Sequence, residues 1–191
     1  MNQIEEKIIK TAIDLFKKHG YNETSINTIC ESCNITKGTF YYHFNAKSDL
    51  IFQYYELLYD NMMTIMPELI TMKDSKKKLW KLYEYSIDNT VSLGPQLLKA
   101  MMIADTEIGL NYFSPLKAGS SSNSRQINTS MMRKLVVQAQ EEGSIQATKN
   151  PDKLLQTYNA VIIGMALDWS TSHGKYDQKE ELLAMFEIVF S

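Results

Sequence analysis

The first apolar positions of the chain recur at helical spacing. Ile4, Ile8, Ala12, Leu15 and Phe16 form one stripe, and Glu5, Lys10, Asp14 and Lys17 fall mostly on the other faces. Asn2 with Glu5 three residues on is an Asn variant of the capping box, and Gly20 is a natural stop, so a helix is predicted over about 3–19. Two short helical units follow. Ser25 can cap a helix carrying Ile26, Ile29, Cys30 and Cys33. Asn34 ends it, because Asn is among the few non-glycine residues that accept a left-handed backbone. Thr36 caps the next unit, Lys37 to His43, with Ile35 and Phe40 at the two positions of a hydrophobic staple. Two short helices joined across Cys33 to Thr36 predict a helix-turn-helix.

Asn45 can cap a long helix from Ala46 through Leu50, Tyr54, Leu57 and Leu58 toward Met66, which Pro67 bends or ends. Further helices are expected at about 74–92, stopped by Gly94 and Pro95, at about 96–106 and, with a poorer pattern, at about 107–117. The stretch 118–124 is the one low-complexity segment and reads as a surface loop. Helices at about 125–142, 151–172 (with Pro151 in the first turn) and 177–190 complete the chain. No repeat and no convincing strand is legible, so an all-α fold of about nine to ten helices is expected.

Composition agrees. In 191 residues, 44% hydrophobic and 22% charged describe an ordinary globular chain, and 8 Gly with 4 Pro argue against a turn-rich all-β protein. Two Cys cannot form a disulfide framework, the first residues are unlike a signal peptide, and no apolar run approaches the roughly 18–20 residues of a membrane span. A cytoplasmic location is expected. Lys and Arg total 20 against 22 Asp and Glu, a net charge of −2, which excludes nucleic-acid binding through bulk charge alone but not through a local site.

Residues 20–50 supply that site. They contain Thr-Lys-Gly-Thr-Phe-Tyr-Tyr-His-Phe and a Lys47 to Leu50 spacing, and strongly resemble the DNA-binding domain of the TetR family of bacterial transcriptional repressors. The residues make physical sense without the family. The start of a recognition helix faces base edges in the major groove. Here that start offers Lys37, a donor suited to guanine, Gly38, which lets the backbone come close, and Thr39. Tyr41 lies one turn on from Lys37. Tyr42, His43, Ser25 and Lys47 suit phosphate contacts, with Thr36 as the cap. The resemblance implies that Lys37, Gly38, Thr39 and Tyr41 face bases and that Tyr42, His43 and Lys47 hold the backbone. Phe40 and Phe44 read as core. Tyr41 and Tyr42 cannot both point inward beside them, because helix neighbours lie about 100° apart.

Residues 1–50 nevertheless carry six Lys, six acids and no Arg, so binding as a monomer should be poor and dimerisation necessary to double the contacts. The resemblance divides the chain into a DNA-binding domain, 1–46, and a helical ligand-binding and dimerisation domain, 47–191. It places the dimer on the helices at 125–142 and 151–172, with Met131, Leu135, Leu155, Ile162 and Met165 as candidate interface residues. Ala160 and Gly164 permit close helix contact. Met62, Met66, Trp80, Tyr83, Met101, Asp105, Tyr112, Phe113, Tyr158 and Trp169 are candidate effector contacts, since Met and aromatics can shape an apolar pocket but can equally be core filler. If Asp88, Asp105, Glu107 or Asp168 points inward, a cationic ligand becomes plausible.

The expected function is a sequence-specific, homodimeric DNA-binding regulator, a repressor on a palindromic operator released by a small hydrophobic, conceivably cationic, ligand. One alternative is a redox-responsive regulator using Cys30 and Cys33, whose C-x-x-C spacing otherwise reads as packing. Another is an all-helical small-molecule-binding module without DNA function. No phosphate loop, zincin motif or nucleophile elbow is present, so neither enzymatic activity nor a cofactor or metal is expected. The expected partners are duplex operator DNA, a second copy of the chain and an unknown small effector, with no membrane.

Overall fold

The computed structural model describes residues 2–109, 113 and 123–191. Helix α1 (Gln3–His19) starts as its capping box requires. The Asn2 side chain accepts from the backbone N–H of Ile4 and Glu5, and the Glu5 carboxylate accepts from the Asn2 N–H at 3.0 Å. Its buried face is Ile8, Ile9, Ala12, Ile13 and Phe16. This corrects the predicted stripe, since Ile4 is exposed and Leu15 only half-buried. The difference has a simple cause: helices pack against α1 from two sides, which widens the apolar arc beyond a single row.

Helix α2 (Ile26–Cys33) is capped by Ser25, whose hydroxyl accepts from Thr28 N–H, and ends at Asn34 with φ 55° and ψ 48°. Helix α3 (Lys37–His43) is capped in the same way, Thr36 accepting from Thr39 N–H at 3.1 Å. Ile35 packs on the core that encloses Phe40, as the staple predicts.

Helix α4 (Lys47–Asp60) begins with its own Asp49 carboxylate accepting from the backbone of Asn45 and Ala46, where a cap by Asn45 was expected. It does not run on to Met66. The chain tightens into a 3-10 turn over Asn61–Ile65, and Pro67 lies in the first turn of the short α5 (Met66–Thr71). Proline clashes with the carbonyl four residues back and disfavours helix in the residue before it, yet fits a helix start. It therefore opens a new helix here instead of closing the old one.

The remaining helices are α6 (Ser75–Leu93), α7 (Pro95–Ile108), α8 (Asn123–Glu141), α9 (Pro151–Thr171) and α10 (Gln178–Val189). Ten α-helices and no strand are found among the described residues. Helix α7 outruns its expected end and stops at Gly109, which takes a left-handed φ of 73°. The weak helix expected at 107–117 is thus not a separate element at its start, and its later residues, apart from Phe113, lie outside the described set. Helix α8 begins inside the stretch read as a loop, at Asn123, a residue type favoured at helix starts.

Two principal cores result. The first joins α1, α2, α3 and the first half of α4 to Leu93, Leu97, Met101 and Ala104 from α6 and α7. The second lies among α6, α8, α9 and α10 around Tyr83, Tyr158, Phe186 and Phe190. Helix α4 contributes Leu50, Ile51 and Phe52 to the first and lies against the helical body with its second half, so it mechanically links the two. Among the described residues no helix is long and apolar enough to cross a membrane.

Candidate functional site

The helix-turn-helix presents α3 outward. Phe40 and Phe44 are buried, while Tyr41 is 53% and Tyr42 83% exposed. The Tyr41 ring stands edge-on to Phe40 at 5.4 Å, so an inward aromatic holds the outward one. Lys37 and Gly38 are exposed at the helix start, and a Cβ on Gly38 would meet nothing nearer than Thr36 Oγ1 at 3.6 Å. Thr39 is half-buried, its hydroxyl bonded to that of Thr36. Ser25 and Thr28 make a matching exposed hydroxyl pair at the start of α2. Thr28 was not singled out from the sequence, although the capping pattern that identified Ser25 points to it as well.

His43 is placed by a residue far away in sequence. Its Nδ1 lies 2.9 Å from Glu5 Oε1, and only 9% of its side chain is exposed. The Asn2 backbone N–H, and then the His43 ring, hold the Glu5 carboxyl below the usual carboxylate range. The N-terminal cap of α1 thereby fixes the last residue of the recognition helix.

Lys47 points inward. Its ammonium donates to the backbone carbonyls of Tyr21 and Thr24, the latter at 2.9 Å, and sits 4.2 Å from the Tyr21 ring centroid. Burial pushes its pKa below the ordinary lysine value. The side chain expected on phosphate is thus engaged in tying α4 to the α1–α2 turn. Lys47→Ala is expected to leave both carbonyls without this donor and to lower stability by about 1–3 kcal/mol, read as a lower urea midpoint at unchanged slope. An unaltered midpoint would show that Lys47 has no structural role.

Other lysines are similarly engaged. Lys7 donates to Cys33 O at the end of α2, and Lys10 pairs with Glu6. Cys30 and Cys33 are both free and buried, and burial pushes the Cys30 thiol up, which disfavours the reactive thiolate. The redox alternative therefore has no accessible thiol to start from.

The candidate effector contacts are not brought together in one place. Tyr83 and Tyr158 meet edge-on at 4.7 Å within the second core, where Trp80 packs on Phe186 and the Tyr158 hydroxyl donates to Leu182 O. Met66 is half-buried against the same core. Met101 belongs to the first core, Phe113 packs beside it, and Trp169 forms a small third core with Leu98 and Ala166. Buried Asp105 accepts from Phe113 N–H at 3.2 Å, and Asp88 pairs with Lys179. Glu107 and Asp168 are exposed, and Tyr112 lies outside the described residues.

A small, open cleft lies instead between α4 and α6, walled by Tyr55, Leu58, Met62, Tyr85, Ser86 and Asn89. Of the candidates, Met62 alone lines it. Tyr55 and Tyr85 were not singled out from the sequence, although they are aromatic like the candidate Tyr83, and nothing in the sequence separates Ser86 or Asn89 from other half-buried helix residues.

Among the candidate dimer residues, Leu135 and Leu155 are enclosed in the second core, and Met131, Ile162 and Met165 are half-buried against it. The outer faces of α9 and α10 carry a different stripe, comprising Ala160, Gly164, Leu167, Leu183, Ala184 and Ile188, all exposed. A Cβ on Gly164 would meet nothing within 4 Å, so this face is open to a neighbour.

Comparison with known proteins accords with this geometry. Residues 8–54 match the family described as bacterial regulatory proteins, tetR family. The chain is 33% identical over 113 residues to the uncharacterised HTH-type transcriptional regulator YuxN of Bacillus subtilis (strain 168), a match covering 56% of this chain and 39% of that protein. It is 32% identical over 82 residues to IcaR of Staphylococcus aureus (strain Newman), the HTH-type negative transcriptional regulator of the biofilm operon icaADBC, covering 43% of each. The chain thus matches less than half the length of either relative. Its whole fold is similar to that of the transcriptional regulator FadR from Bacillus subtilis in complex with stearoyl-CoA, with a TM-score of 0.62, 17% identity and 97% of both chains covered.

Proposed function

We propose that the chain, whose residues 8–54 match the tetR family, is a TetR-type homodimeric repressor that binds a palindromic operator and releases it when a small apolar ligand occupies the helical domain. The observation that carries this reading is the outward pair Tyr41 and Tyr42 beside an exposed Lys37 that has no partner among the described residues, on a helix whose opposite face is sealed by Phe40 and Phe44. Large exposed aromatics on a short capped helix mark a binding surface, not a core.

In this reading residues 1–46 read DNA, and 47–191 bind effector and a second copy. The open stripe on α9 and α10 supports dimerisation there, since small residues at Ala160, Gly164 and Ala184 let helices approach closely. Operator binding needs the two recognition helices about 34–36 Å apart. A ligand that prefers a different spacing shifts the population away from DNA, by no more than its differential affinity. Helix α4, packed into both halves, is the lever. Every acid considered for a cationic ligand is paired, hydrogen-bonded or exposed, which supports a neutral apolar effector.

Selection from random duplex DNA at physiological salt tests the reading. Wild-type protein is expected to enrich a palindrome with half-sites about 10 bp apart, and Tyr41→Ala to lose the enrichment while remaining folded. A folded dimer that enriches nothing would overturn it.

A further inference from the structure

We propose that Glu5 is a positioning residue for operator binding. It holds His43 so that the outer ring nitrogen, Nε2, donates to a DNA phosphate only when the ring is protonated, which couples binding to proton uptake at each half-site. This deepens the DNA-binding reading above and rests on it.

The tautomer comes first. His43 Nδ1 lies 2.9 Å from Glu5 Oε1, and the other Glu5 oxygen accepts from the Asn2 N–H at 3.0 Å. That N–H first, and the His43 ring after it, hold the Glu5 carboxyl below the usual carboxylate range, so at neutral pH it is ionised. An ionised carboxylate only accepts hydrogen bonds, so Nδ1 carries the proton. In the neutral ring Nε2 is then a bare acceptor.

Next is where Nε2 faces. It has no hydrogen-bond partner among the described residues, and the enclosed side-chain atoms without one there are Asn128 Oδ1 and Gln178 Oε1. Nε2 therefore opens to the surface, through the 9% of the His43 side chain that is exposed. The His43 ring stands edge-on to that of the outward Tyr42 at 4.9 Å. The seven residues of α3 rise about 10 Å, close to the major groove's width of about 12 Å. A helix whose start at Lys37 lies over the bases thus carries its last residue to the wall of the groove, where the phosphates are.

A phosphate oxygen also only accepts. A neutral His43 would set a lone pair against it, whereas the imidazolium donates from Nε2 and keeps its Nδ1–H on Glu5. The proton comes from solvent and returns there on release. Other charged or titratable groups on the surrounding elements are engaged, buried or exposed elsewhere. On α1, Glu6 pairs with Lys10 and Lys7 donates to Cys33 O. On α2 the Cys30 and Cys33 thiols are buried and Glu31 is exposed, as are Lys37, Tyr41 and Tyr42 on α3. At the start of α4, Asp49 accepts from the Asn45 and Ala46 N–H, and Lys47 donates to the carbonyls of Tyr21 and Thr24. Of the charges that act on Glu5, His43 outranks the amino-terminal amine.

The sign follows from the proton count. The DNA-bound state holds more protons, so affinity rises as pH falls. Anisotropy on the selected palindrome at constant ionic strength, at about pH 6, 7 and 8, spans the range in which imidazole changes charge. Wild-type affinity is expected to rise roughly 30-fold or more from the highest pH to the lowest, a several-fold gain taken at both half-sites. Calorimetry in two buffers of different ionisation enthalpy should register uptake of about one proton per dimer at about pH 7. In Glu5→Gln, Oε1 still accepts from Asn2 as a capping box allows, while the amide nitrogen donates to Nδ1 and leaves the ring proton on Nε2. This variant is expected to flatten the pH profile and to bind several-fold more tightly than wild type at the highest pH. His43→Gln, a permanent donor near the place of Nε2, should flatten it too, and it keeps the amino-terminal amine. Loss of affinity in Glu5→Gln with the wild-type slope retained would make Glu5 merely structural and overturn the proposal. Should either variant not fold, imidazole nitrogen NMR shifts of the wild-type protein read the tautomer, with the exposed His19 and His173 as references. A His43 ring protonated on Nε2 at the highest pH would equally overturn it. A palindrome bound without proton uptake rejects the coupling and keeps the regulator. A folded dimer that binds no duplex at any pH sinks the regulator and the coupling with it.

Discussion

Lys37→Ala is expected to weaken operator binding by roughly 30-fold to 10⁴-fold while leaving the protein folded and dimeric. A lysine or arginine donating to a guanine contributes about 1–3 kcal/mol of discrimination. A homodimer on a palindrome carries the change twice, so about 2–6 kcal/mol is lost, at 1.4 kcal/mol per factor of ten. The structure makes Lys37 the residue to test. Of the six lysines in residues 1–50, Lys7 is engaged by Cys33 O, Lys10 by Glu6, and Lys47 by Tyr21 and Thr24. The exposed cations that remain are Lys17, Lys18 and Lys37, and of these only Lys37 starts the recognition helix. Fluorescence anisotropy on the selected palindrome and on a scrambled duplex checks it. Equal loss on both duplexes would mean that Lys37 contacts phosphate and reads no base. With so few free cations, the affinity that remains should still fall with salt, but with a shallow slope.

Phe40→Ala is expected to cost about 3–5 kcal/mol of stability, against a total of about 5–15 for an ordinary domain. The ring is wholly buried, packs on Phe44 at 5.6 Å and supports Tyr41 edge-on. Its loss opens a cavity under a helix of only seven residues that has little stability of its own. DNA binding should therefore fall together with the melting temperature. Tyr42→Ala, at the exposed neighbouring position, should change stability by less than about 0.5 kcal/mol. Chemical denaturation of the two variants side by side decides the matter, and equal midpoints would refute the inward and outward assignment on α3.

Most of the fold was legible in the chain because its punctuation is local. Asn2, Ser25, Thr36, Asp74, Asn150 and Asp177 each cap a helix through backbone N–H groups two or three residues on, so the pattern and its structural consequence lie in the same few residues. The exceptions share one cause. Pro67, expected to bend or end a helix, lies in the first turn of a new one, and Asp49 takes the capping role expected of Asn45. Both choices are locally degenerate, and packing of α4 decides between them. The candidate site divides in the same way. That at least one tyrosine of α3 is exposed followed from angular spacing on one helix, and the structure exposes both. The cleft between α4 and α6 did not follow, because Met and aromatic residues look alike in sequence whether they fill a core, as Tyr158 does, or line a gap, as Met62 does.

By itself, then, the sequence determined the all-helical architecture, the turn at Asn34, the recognition helix and which of its faces looks outward. These depend on hydrogen bonds and angular spacing within about one or two helical turns. Only the tertiary structure decided that Lys47 turns inward, that Glu5 holds His43, and that Glu142 at the end of α8 clamps Ser75 at the start of α6. It also decided that Leu135 and Leu155 are core while Leu167 and Ile188 are surface. Those outcomes join residues 23 to 67 positions apart, and a long side chain goes where distant carbonyls, carboxylates or cavities await it. No local pattern in the chain encodes that meeting. It exists only once the helices have packed.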